Sequence, residues 1–102
     1  MEFVSVGKVE AIPKGGMKGF AVKGKKMLVA ESGGRFYAIA SVCTHMGAPL
    51  EKGQFDGKTV KCPWHGSLFD IASGKVMAGP AKKDCEKYEV RVENGEILVG
   101  VQ

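Results

Sequence analysis

The chain has 102 residues, 15 Lys and Arg against 11 Asp and Glu, and a formal net charge of +4. This length predicts one domain over 1–102, near the lower end of what folds on its own core. No apolar run reaches the ~20 residues of a membrane span, and a lysine-studded surface without an arginine cluster excludes the usual nucleic-acid platform.

Met1-Glu2-Phe3-Val4-Ser5-Val6 has no basic segment followed by an apolar one, so a cytoplasmic location is the default expectation. Fifteen glycines and four prolines point to tight turns rather than helices. Residues 3–9 alternate and predict a first strand, with a turn at Pro13-Lys14-Gly15-Gly16. Residues 19–22 and 27–30 are expected to pair around Lys23-Gly24-Lys25, and Ser32-Gly33-Gly34-Arg35 then turns into a strand at 36–40. The nine residues from Lys18 to Lys26 could form a basic face that steers an acidic redox partner.

Residues 54–55 and 58–61 predict a hairpin around Asp56-Gly57, and 68–71 with 75–77 predict another around Ala72-Ser73-Gly74. Strands at 88–92 and 97–101 close the fold around Asn94-Gly95, the clearest hairpin signal in the chain. Nothing sustains a helical period over three turns. The expected fold class is all-β, an antiparallel sandwich whose residues 41–81 form a small insert made of two hairpin loops.

That insert carries the chemistry. Cys43-Thr44-His45 and Cys62-Pro63-Trp64-His65 each offer one thiolate and one imidazole. A zinc finger usually takes both cysteines from one knuckle and both histidines from a second. One Cys and one His per loop suits a two-iron, two-sulfide cluster in which one iron takes both thiolates and the other both imidazoles. A structural zinc site remains the rival reading, since a small domain gains from a metal staple. A cysteine nucleophile beside a histidine would leave the second Cys/His pair without a role.

The stretches Cys43-Thr44-His45-Met46-Gly47 and Cys62-Pro63-Trp64-His65-Gly66-Ser67, followed by Gly79-Pro80-Ala81, resemble the two ligand boxes and the proline loop of the Rieske family. The resemblance implies a [2Fe-2S] cluster, one per chain, held by Cys43, His45, Cys62 and His65. It implies that Ser67 donates a hydroxyl hydrogen bond to a bridging sulfide. High-potential relatives place a tyrosine where this chain has Phe69, and a loop-to-loop disulfide at the positions of Ala48 and Trp64. Both are missing here, which implies a potential in the low to middle part of the Rieske range of about −150 to +300 mV.

The chain has only two histidines, and such a cluster uses both. None is left for the mononuclear iron that a Rieske oxygenase also needs. The expected function is therefore a one-electron carrier of the free-standing ferredoxin type, not an enzyme, passing electrons from a reductase to a terminal oxidoreductase such as an oxygenase. The alternative within the family is a small subunit of a larger, nitrite-reductase-like oxidoreductase. The partners are then redox proteins rather than nucleic acid or membrane, and the carrier is expected to be a monomer. Cys85, the odd third cysteine, is expected to be a buried core thiol.

Overall fold

Met27-Leu28-Val29-Ala30 breaks the alternation of a half-buried strand, and the tertiary structure gives the reason: this strand is covered on both faces. The computed structural model describes residues 1–101. Its strands are β1 (Glu2–Lys8), β2 (Met17–Val22), β3 (Lys25–Ser32), β4 (Arg35–Ala40), β5 (Gln54–Phe55), β6 (Thr59–Lys61), β7 (Leu68–Asp70), β8 (Val76–Ala78), β9 (Lys87–Tyr88), β10 (Val90–Glu93) and β11 (Glu96–Val101). Two short 3-10 turns lie at Val9–Ala11 and Leu50–Lys52.

The strands form three antiparallel sheets, ordered β1-β11-β10, β2-β3-β4-β9 and β5-β6-β7-β8. The second sheet is the middle layer. Met27 and Val29 of β3 and Ala38 of β4 join Ile97, Val99 and Val101 in the sandwich core against the first sheet. Leu28, Ala30 and Ile39, pointing the other way, join Leu50, Val60, Phe69 and Ile71 in a second core beneath the third sheet. The two Cys/His motifs therefore rest on a sheet that is itself buried from behind.

Two-residue turns set the registers. Lys23-Gly24 and Asn94-Gly95 all have positive φ, and they join strands paired at Val22↔Lys25 and Glu93↔Glu96. Such turns match the twist of the flanking strands, and glycine adopts their second position without strain.

Most predicted strands are present within a residue or two of their expected limits. The exception is the strand expected over 88–92, which is divided between two sheets. Lys87–Tyr88 pairs with β4 through Ala38↔Tyr88, whereas Val90–Glu93 pairs with β11. Tyr88 and Val90 both face the sandwich core, so the alternation runs unbroken across the crossing at Glu89 and carries no mark of it.

Glu31 is the one buried carboxylate among the described residues, and it serves the scaffold. Its two oxygens accept the N–H groups of Gly15 (2.8 Å) and Gly34 (3.0 Å), tying the turn before β2 to the turn after β3.

Candidate metal centre

The two ligand loops follow the same backbone path. In the first, the Cys43 N–H donates to the Ala48 carbonyl (2.9 Å) and the Gly47 N–H to the Cys43 carbonyl (2.8 Å). In the second, the Cys62 N–H donates to the Ser67 carbonyl (2.8 Å) and the Gly66 N–H to the Cys62 carbonyl (3.2 Å). Gly47 (φ +77°) and Gly66 (φ +78°) take the left-handed conformation that closes each turn. The second loop sits on the β6–β7 hairpin. The first is closed by a single antiparallel bridge, Val42↔Pro49, at the exit of β4.

This path sends the two donor types in different directions. Cys43 and Cys62 are 2% and 3% exposed and belong to the insert core, whereas His45 and His65 are exposed. The imidazole rings meet edge to face with centroids 5.1 Å apart. The four expected ligands are thus brought together, sulfurs inside and ring nitrogens outside. Among the described residues no three His, Cys, Asp or Glu side chains converge on one point, and a cluster that divides its ligands between two irons does not require this.

The environment of Cys62 suits an iron ligand. Burial opposes ionisation, but the backbone N–H groups of Trp64 and His65 and a hydrogen bond with Cys43 outweigh it, and the pKa is lowered. The thiolate is the form that binds metal, so the loop backbone itself favours the ligating state.

Ser67 is fully buried, and its Oγ accepts the Ala81 N–H at 2.9 Å, within the Gly79-Pro80-Ala81 segment. The predicted third segment is therefore docked against the second ligand loop. With the oxygen so engaged, the Ser67 O–H has no acceptor among the described residues and is free to donate. Phe69 is also fully buried and shares a core with Cys43, Cys62 and Cys85.

Cys85 is buried as expected, and its thiol donates to the Val42 carbonyl (3.8 Å) beside the first ligand loop. Burial, reinforced by negative charge at Cys43, Asp84 and Cys62, pushes its pKa up to about 12. Native protein treated with iodoacetamide at pH 8 is therefore expected to leave Cys85 unmodified, as read by peptide mass. The unfolded thiol ionises near 9.0 and the folded one near 12. This group's contribution to stability is thus complete below pH 9 and is lost as pH rises towards 12. Rapid labelling at pH 8 would mean that the thiol is not held in this environment.

Of residues 81–86 the sequence singles out only Ala81 and Cys85, yet the segment touches both ligand loops. Besides the Ala81 bond to Ser67, the Lys83 carbonyl accepts the Thr44 hydroxyl (2.6 Å), and the Glu86 carbonyl accepts the Ala40 N–H (2.8 Å). Most of these bonds use backbone atoms, which no residue type announces.

Comparison with known proteins agrees with this geometry. The family model of the Rieske [2Fe-2S] domain matches residues 2–89. The ferredoxin component of the naphthalene 1,2-dioxygenase/salicylate 5-hydroxylase systems of Ralstonia sp. is 33% identical over 94 residues, covering 92% of this chain and 90% of its own. The solved ferredoxin of carbazole 1,9a-dioxygenase from Nocardioides aromaticivorans superposes with a TM-score of 0.95 at 31% identity, covering 100% of both chains. A chain in the complex of reduced oxygenase and oxidized ferredoxin in carbazole 1,9a-dioxygenase superposes with a TM-score of 0.90 at 30% identity, covering 95% of this chain and 91% of that one. A family match running through both ligand boxes and the strands from β1 to β9, together with full-length structural agreement, places this chain in the Rieske [2Fe-2S] domain family.

Proposed function

We propose that Cys43, His45, Cys62 and His65 hold the [2Fe-2S] cluster and that the chain carries single electrons from a reductase to a terminal oxidoreductase such as an oxygenase. The observation that carries this reading is the division of each loop into a buried thiol and an exposed imidazole around one centre. Bound by two thiolates and two neutral imidazoles, the cluster supplies a one-electron couple at higher potential than an all-cysteine centre.

The chain's own residues do the rest. The Trp64 and His65 amides lower the pKa of Cys62 towards the ligating form, and the insert core keeps water from both sulfurs. His45 and His65 form the solvent-facing side, so a partner approaches there. Met46 and Trp64, 59% and 57% exposed, stand next to these histidines in sequence and offer apolar contact. The ferredoxin components among the relatives and the ferredoxin–oxygenase complex support the same assignment.

The protein works as a carrier rather than an enzyme, because its two histidines are both taken by the cluster. No helix among the described residues is long and apolar enough to cross a membrane. The working form is a monomeric cytoplasmic domain with residues 41–81 as its metal-carrying part. Iron and acid-labile sulfide analysis of the purified protein tests the centre, with two of each expected per chain. Reduction by a reductase followed by turnover of an oxygenase tests the role. One zinc and no sulfide, after reconstitution with iron and sulfide, would overturn the assignment.

A further inference from the structure

The segment from Val76 to Asp84 leaves the edge strand β8 and returns as a single loop, with Gly79-Pro80-Ala81 at its tip. Its tip is fastened by the buried bond from the Ala81 N–H to Ser67 Oγ. Its neck is fastened twice. The Val76 N–H donates to Asp84 Oδ1 at 2.9 Å, and just outside this pair the Cys85 N–H donates to the Gly74 carbonyl at 2.7 Å. A Cβ on Gly74 would lie 2.3 Å from the Cys85 carbonyl oxygen, so the two chain segments meet backbone to backbone at the neck.

Among the described residues no backbone hydrogen bond joins the two ligand loops, 43–48 and 62–67, directly. The loop at 76–84 bonds to both, through Lys83 to Thr44 and through Ala81 to Ser67. Its conformation thus bears on how the two ligand pairs face each other. Of the bonds at the neck, only that of Asp84 is made by a side chain.

We propose that Asp84 is a positioning residue for the metal centre: by accepting the Val76 N–H it holds the neck shut and keeps the Gly79–Ala81 tip closed over the second ligand loop. The proposal rests on the ligand assignment above. Asp84 is exposed, so without its carboxylate the Val76 N–H turns to water at little cost to the scaffold. The loop itself is then held by fewer ties. It opens more often, Ala81 leaves Ser67 more often, and the bonds from the chain to iron are laid open to water and competing ligands.

The test uses the cluster-loaded protein and its Asp84→Ala and Asp84→Asn variants. Loss of visible absorbance in excess EDTA gives the rate of cluster release, and visible circular dichroism reports the asymmetry of the ligand loops. Asp84→Ala is expected to release the cluster about fivefold faster or more and to change the visible dichroism. Asp84→Asn keeps an oxygen acceptor and is expected to stay near the wild-type rate and spectrum. Equal rates for Asp84→Ala and wild type would overturn the proposal, and so would Asp84→Asn behaving like Asp84→Ala, since charge rather than the hydrogen bond would then be at work. A wild-type protein that takes up no iron and sulfide would overturn the ligand assignment, and this proposal with it. A loaded wild type with an unaffected Asp84→Ala variant would overturn the role of Asp84 alone.

Discussion

Gly53→Ala is expected to cost at least about 3 kcal/mol of stability and to lower cluster content with it. A Cβ at position 53 would lie 1.9 Å from the carbonyl oxygen of Lys61 and 3.2 Å from that of Leu50. Both obstacles are backbone atoms, so no side chain can swing aside. The Lys61 carbonyl belongs to β6, which runs directly into Cys62, and the Gly53 N–H closes the turn at Leu50–Lys52 by donating to Leu50. Relief of the clash must move the turn that follows the first ligand loop, or the strand that enters the second. Chemical denaturation and iron content of the purified variant measure the two effects together. A variant within about 1 kcal/mol of wild type, fully loaded, would show that the two segments separate freely.

Ser67→Ala is expected to lower the midpoint potential and to weaken the hold on the proline loop at once. The hydroxyl oxygen is fully buried and accepts the Ala81 N–H, so its removal strands a buried donor at a cost of about 1–3 kcal/mol. The hydroxyl hydrogen is free, and given to a sulfide it stabilises the more negative, reduced state. A differential bond of roughly 1–3 kcal/mol corresponds to about 40–130 mV for one electron. Protein-film voltammetry reads the potential, and thermal unfolding reads the stability. An unchanged potential in a fully loaded variant would reduce Ser67 to its contact with Ala81. Unchanged stability would mean that the Ala81 N–H finds another partner.

The four candidate donors stand out by residue type because the capacity to ligate is a property of the side chains themselves and their spacing in two short boxes. The hairpins at Lys23-Gly24 and Asn94-Gly95 were equally legible, because a two-residue turn is decided by residues adjacent in the chain. Phe69 was noted for what it lacks relative to a tyrosine. Its actual place, fully buried in a core shared with Cys43, required the folded chain.

By itself, then, the amino-acid sequence determined the β class and most strand limits, and it offered four candidate donors in two short boxes, all of which depend on local chemistry. Tertiary structure alone decided that β3 is buried on both faces, that the chain changes sheets at Glu89, and that the sulfurs point inward while the imidazoles face solvent. It also decided the bonds from 81–86 to both ligand loops. These contacts join segments up to 43 positions apart, as in the Cys85 thiol on the Val42 carbonyl. Most of them use backbone N–H and C=O groups, which nearly every residue carries. Residue identity therefore cannot encode such pairings one by one, and they are settled only when the packed sheets bring the segments within hydrogen-bonding reach.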